Sequence, residues 1–159
     1  MEFKNTLSTL NDFGKFLVDE HKDRLILNDV NASDTLYKSV KFNVENNGKT
    51  FEVQITLEDY WKYVENGRKP GKWPPINAIQ KWVEIKPVLP RPMENGKLPT
   101  TRQLSFLIAR KIGLEGIKPR PLLQQSVNEV WEVMKEHLEE ALAKDLEKEI
   151  TIELGKMGL

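Results

Sequence analysis

Apolar residues recur at three- and four-residue steps at Phe3, Leu7, Leu10, Phe13 or Gly14, and Leu17. That period predicts an amphipathic helix running through about His21. Residues 23–33 mix Leu25, Ile26 and Leu27 with Asn28, Asp29 and Asn31, with Asp34 just beyond, and read as a connector. The period then changes to two. Val40, Phe42 and Val44 alternate with polar residues, Asn46-Asn47-Gly48-Lys49 follows, and Phe51, Val53, Ile55 and Leu57 alternate again. Asn-Gly between two such runs predicts a β-hairpin, because the tight turn wants positive φ at its central residues. One face of the hairpin is apolar, and helices on either side are the economical cover.

Residues 60–75 pack four large aromatics, two glycines and three prolines into sixteen positions. The first half predicts a short helix stopped by Gly67, which takes the left-handed conformation without steric penalty. In the second half Pro70, Pro74 and Pro75 remove backbone donors and fix φ, so a rigid, aromatic, basic loop is expected. It is either displayed for contact or a pinned structural corner. Ile76, Ile79, Trp82 with Val83, and Lys86 mark a short helix that ends before Pro87. Residues 87–99 hold four prolines, two flanking Arg91, with Asn95-Gly96, and form an extended loop of a length usually functional or disordered. Thr100 or Thr101 caps a helix through Leu104, Leu107, Ile108, Lys111 and Ile112 to Gly113 or Gly116. A proline-bracketed link at 117–121 leads into the longest helix, whose stripe is Leu122 or Leu123, Val127, Val130, Trp131, Met134, Leu138, Leu142 and Leu146. Ile150, Ile152 and Leu154 alternate, which fits a short C-terminal strand or a continuing helix.

The fold expected is α+β: an antiparallel hairpin-based sheet covered by N-terminal, central and long C-terminal helices. A single domain over 1–159 suits this length. It would comprise an N-terminal helix at 1–22, the hairpin at 36–57, short helices and proline-rich loops at 58–99, and helices at 100–150.

Lys plus Arg number 24 and Asp plus Glu 24, so bulk charge implies no strong polyanion affinity. The absence of cysteine excludes disulfides, thiolate metal sites and a cysteine nucleophile. No uninterrupted apolar run resembles a signal peptide or a spanning helix, so a soluble intracellular protein is expected, with no membrane partner. His21 and His137 each stand alone among Lys and Glu without a second ligand one turn away, and read as solvated surface. Gly67 and Gly71 precede prolines rather than a helix with free N–H groups, so they form no phosphate loop. Glu58 and Asp59 sit where a helix macrodipole favours acids. Ser105 and Ser126 have no base that spacing could recruit. No catalytic, cofactor-binding or metal-binding residue is assigned.

Two basic clusters remain: Arg68, Lys69 and Lys72 beside Trp73, and Arg110, Lys111, Lys118 and Arg120. Such mixtures serve nucleic-acid binding through phosphate pairing and stacking, or protein interfaces, where Trp, Tyr and Arg are enriched. The balanced charge favours protein contact. Trp61 and Trp82 read as core, and Trp73 as surface. The charged run 135–148 reads as the solvated face of the long helix.

The order of these motifs resembles the small neck and tail-component proteins of tailed bacteriophages. Members open with an amphipathic helix, then show Thr-Gly-x-Leu-x-x-Ser, a hairpin, Tyr-x-x-Tyr-Val-Glu-x-Gly and a proline-rich stretch. Here Ser33, Leu36 and Ser39 match the first signature, with Asp34 where Gly is usual, and Tyr60, Tyr63, Val64, Glu65 and Gly67 match the second. Pro74-Pro75-Ile76, Trp82, Ala109-Arg110-Lys111-Ile112 and Gly116-Ile117 also look like the longer members, and the likeness covers about residues 33–123.

The resemblance implies a non-enzymatic homo-oligomeric ring in the head–tail connector, neck or tail-completion region of a virion. Such a ring is assembled in the host cytoplasm, contacts portal, neck or tail proteins, and surrounds DNA without sequence-specific binding. The loops at 68–75 and 87–99 are the expected contact elements, with Tyr63, Glu65, Arg68, Lys69, Lys72, Trp73, Pro74, Arg91 and Arg120 as inter-subunit candidates. The alternative is a small nucleic-acid-binding module using the basic-aromatic loops.

Overall fold

The structure, a computed structural model, describes residues 3–28, 30, 35–48, 50–59, 61–85, 88–94 and 96–157. Ser33, Asp34, Lys49, Tyr60, Lys86, Pro87 and Asn95, which carry parts of the sequence reading, lie outside them, as do Asp29 and Asn31. The elements in order are α1 (Lys4–Leu27), α2 (Thr35–Ser39), β1 (Lys41–Asn46), β2 (Phe51–Thr56), α3 (Trp61–Glu65), α4 (Ile76–Ile85), α5 (Thr101–Glu115) and α6 (Leu122–Lys156). The protein is α+β, with a two-stranded antiparallel sheet and N-terminal, central and long C-terminal helices. Its contacts divide it into two compact units. Unit 1 is Met1–Arg24, Ser39–Leu57 and Leu123–Leu159, and unit 2 is Leu25–Lys38 and Glu58–Leu122.

In unit 1 the hairpin pairs Phe42 with Ile55, Val44 with Val53 and Asn46 with Phe51. Gly48 takes φ +81°, and the Asn46 and Asn47 side chains accept from the Gly48 and Thr50 N–H groups at 2.8 and 2.9 Å, closing the turn. Val53 and Ile55 pack with Phe13, Leu17, Val130, Met134, Val127 and Leu138, so sheet, α1 and α6 share one core. Gly14 lets Phe42 approach: a Cβ there would lie 2.5 Å from Phe42 Cε2. Phe3 meets Phe51 edge-on, with ring centroids 5.2 Å apart.

A buried carboxylate closes the start of α1. Asp145 of α6, 4% exposed, accepts from Asn5 N (3.2 Å) and Asn5 Nδ2 (2.8 Å) on one oxygen. Its other oxygen accepts from Thr6 N (2.7 Å) and Thr6 Oγ1 (2.8 Å). Burial pushes this carboxyl up, but the hydrogen bonds from Thr6 and Asn5 outweigh it and hold it below the usual carboxylate range. Towards the other end of α1, Arg24 bonds Glu20 (2.8 Å), Gln125 (3.1 Å) and Glu129.

Two expectations are corrected here, and the strand-or-helix alternative at residues 150–154 is resolved. First, α1 does not stop near residue 21: Leu17, Val18, His21 and Leu25 are all buried, continuing one helical face, so the connector begins later. His21 is therefore interior, not solvated surface, whereas His137 is exposed. Residues 150–154 continue α6, and no C-terminal strand enlarges the sheet among the described residues. Leu146, Ile150 and Leu154 are also spaced by four, and a helix already 25 residues long at Leu146 costs nothing to nucleate further. Second, Trp82 is 39% exposed and Trp61 half-buried, so neither is a fully buried core residue.

In unit 2, α4 packs against α5. α5 starts at a capping box: Thr100 N donates to Gln103 Oε1 (2.9 Å) and Gln103 N to Thr100 Oγ1 (3.3 Å). It ends at Gly116, φ +77°, whose N–H donates to Ile112 O. The small residues Ser105, Ala109 and Gly113 form its buried stripe. Among the described residues no helix is long and apolar enough to cross a membrane.

Candidate functional site

The two basic clusters, separate in sequence, meet in unit 2. Arg68 and Ile117 form an antiparallel bridge, Arg68 N to Ile117 O at 2.9 Å and Ile117 N to Arg68 O at 2.8 Å. Outside it, Gly71 N donates to Gly113 O (2.7 Å) and Arg120 N to Val64 O (2.8 Å). The segments paired here are near-repeats: Gly67-Arg68-Lys69-Pro70 and Gly116-Ile117-Lys118-Pro119. Each glycine has positive φ, +67° and +77°. A Cβ on Gly67 would strike Ile117 O and lie 2.7 Å from Pro119 N, while one on Gly116 would strike Arg68 O and lie 3.1 Å from Pro70 Cδ. Both glycines serve a conformation and a close approach at once, and Lys69 and Lys118 flank the joint. Sequence reading passed over this pairing; the repeated Gly-x-Lys-Pro was the signal available.

Trp73 lies across Gly113, where a Cβ would come within 2.6 Å of its Nε1, and meets Phe106 edge-on with centroids 5.5 Å apart. Pro74 is buried, and Arg68 donates to Lys72 O at 2.7 Å. Of the two readings of residues 68–75, displayed arm or pinned corner, the structure has the pinned corner. Trp73 nevertheless keeps 43% of its surface exposed. Tyr63 is also exposed, with Lys62 Nζ 5.6 Å from its ring centroid, and Glu65 is half-buried. Arg120 reaches Asn28 O at 3.3 Å.

Of the nine candidates, Arg68, Lys69, Lys72, Trp73 and Pro74 lie in one hydrogen-bonded corner, Arg120 joins it through Val64 O, and Tyr63 and Glu65 flank Val64 in the chain. Arg91 does not join it; it is exposed between Pro90 and Pro92 in a loop whose Met93 N–H turns back to Lys97 O (2.9 Å). Arg110, Lys111 and Lys118 are added to the corner by α5 and the bridge. Lys111 makes only a long contact with Glu115 (3.8 Å). Preorganised cations beside exposed aromatic edges suit a phosphate backbone or a carboxylate-bearing protein surface.

The described residues contain no group of three or more His, Asp or Glu side chains placed to hold a metal ion. Ser105 and Ser126 are buried, and Ser105 Oγ donates to Thr101 O at 2.7 Å. No family model, curated protein or solved structure matches the chain.

Proposed function

We propose that this protein is a non-enzymatic structural subunit of a tailed-phage virion, forming a ring in the head–tail connector, neck or tail-completion region around the DNA path. The observation that carries the reading is where the matching motifs fall. Val64 and Gly67 of one motif lie against Arg120, Ile117 and Pro119 next to the other, some fifty positions along the chain. Motifs whose order suggests a family are thus parts of one physical element, the basic corner. Its rigidity suits repeated contact, since a preformed surface loses little conformational entropy on binding. The contact residues act from this corner and not from a flexible arm.

The test is the assembly state of the purified protein, alone and with presumptive portal and tail partners, by sedimentation velocity and electron microscopy. Closed rings are expected. A monomer under every such condition would refute the reading. One observation favours a second reading, the nucleic-acid module: unit 2 holds 14 Lys plus Arg against 8 Asp plus Glu, a net +6. DNA affinity falling steeply with salt, in a protein that stays monomeric, would favour that reading instead.

A further inference from the structure

The balanced net charge hides a segregation. Unit 1 holds 10 Lys plus Arg against 16 Asp plus Glu, a net −6, the counterpart of the +6 on unit 2. The negative charge of unit 1 has a shape. Between α1 and α6 runs an open groove of about 860 Å³. Phe16 and Val133, 57% and 69% exposed, line it as unpartnered apolar surface, and Asp12, Asp19, Asp23 and Glu140 border it. Asp19 and Asp23 make no hydrogen bond or ion pair with any described residue. Asp12 pairs with Lys15 (3.2 Å) and Glu140 makes a long contact with Lys144 (3.9 Å), so Asp19 and Asp23 are the open charges of an edge that fits a helix apolar and basic on one face.

Such a face lies on α5. Successive residues turn by about 100°, so Arg102, Phe106, Arg110, Leu114 and Leu107 fall within an arc of about 140°, on one side of which Trp73 lies over Gly113 and against Phe106. All five are exposed, and Arg102 and Arg110 make no hydrogen bond or ion pair with any described residue. Lengths agree too. The groove wall from Asn5 to Asp23 rises about 27 Å and α5 about 22 Å at 1.5 Å per residue.

We propose that the α1–α6 groove of one copy receives the α5 face of the next copy, joining unlike surfaces head to tail. Phe106 and Leu107 meet Phe16 and Val133, and Arg102 and Arg110 meet the carboxylates along the rim. Heterologous contacts of this kind close into rings when the rotation permits. The inference rests on the ring reading above and supplies the two surfaces that reading leaves open.

The test reverses charge on each side. D19K with D23K alters the groove, and R102E with R110E alters α5. D23K near the C-terminal end of α1 and R102E in the first turn of α5 suit the helix macrodipole, and all four positions are exposed, so folding should hold, checked by circular dichroism and Tm. Each reversed protein should need about tenfold or more higher concentration to assemble, because like charges then face each other. The chain carrying all four changes should return to within about threefold of wild type, the coupling expected of a direct pair. An equimolar mixture of the two reversed proteins should assemble where neither does alone, which places the contact between copies. If wild type assembles and the reversals leave it unchanged, or the fourfold variant is no better than either parent, the groove inference is overturned while the ring reading stands. If wild type remains monomeric alone and with its partners, both fall.

Discussion

Replacing Asp145 by Ala removes four hydrogen bonds at once from the start of α1, made to residues 139 and 140 positions away. Two of the donors are backbone N–H groups in the first turn, which no intrahelical carbonyl can satisfy. Thr6 and Asp145 are each 4% exposed, so water is poorly placed to replace the lost acceptor. Losing a helix cap costs about 0.5–2 kcal/mol, and hydrogen bonds to a charged group contribute about 1.5–3 kcal/mol each before the cost of burying the charge is deducted. The net expectation for D145A is a loss of about 2–4 kcal/mol, measured by urea denaturation with circular dichroism at neutral pH. D145N should be no better, since its amide nitrogen turns a donor toward donors. The pH dependence supplies a second reading of the same site. A carboxyl held below its ordinary value stabilises fully above the unfolded value of about 3.9, and that contribution is lost as pH falls through the lower folded value. The gap between wild type and D145A should therefore stay constant above about pH 5 and shrink in acid. A D145A protein within about 0.5 kcal/mol of wild type at neutral pH would show that the cap is not what holds α1 to α6.

Three further expectations follow from close contacts and exposure. G113A should displace the Trp73 indole, costing about 1–3 kcal/mol and shifting tryptophan emission to the red. G67A and G116A should each cost about 1–3 kcal/mol, from positive φ and collision with the opposing segment. Because both damage one joint, the double variant should cost less than their sum by about 0.5 kcal/mol or more, and simple additivity would refute the shared joint. Removing residues 152–159 should move Tm by no more than about 2 °C, since Ile152, Leu154 and Met157 are exposed and are not members of the core cluster.

Where a fold rule acts over a few residues, the chain announces it. The hairpin follows from its alternation and Asn-Gly, and the start of α5 from Thr100, one of the two caps expected, to which the structure adds the reciprocal bond from Gln103. One local reading stopped short and another stayed open, for different reasons. The charged run from Asp19 to Arg24 obscured the face carrying His21 and Leu25, because Arg24 reaches Gln125 and Glu129 of α6 rather than simply ending a helix. At the far end, Ile150, Ile152 and Leu154 fit a strand by twos, and the four-residue spacing of Leu146, Ile150 and Leu154 fits the helix that forms. Partnerships across the chain left no local mark. Asp145 lies in a run of Lys and Glu that reads as solvated surface, and nothing near it points to Thr6.

Charge shows why this matters for the site. Unit 1 is assembled from three separate stretches of chain, so no window along the sequence samples it, whereas most of unit 2 is the single stretch Glu58–Leu122, whose excess of Lys and Arg is legible once its bounds are known. Summed over the chain the charges cancel. The Debye length at physiological ionic strength is about 8 Å, however, so a partner responds to the surface within reach and not to the total. The −6 and +6 of the two units are then separate quantities with separate consequences. A polyanion would be drawn to unit 2 and repelled by unit 1, whereas another copy of the chain has a complement for each. Balanced composition gives no reason to expect weak electrostatics here; self-association is the process to which both halves of that balance contribute attractively.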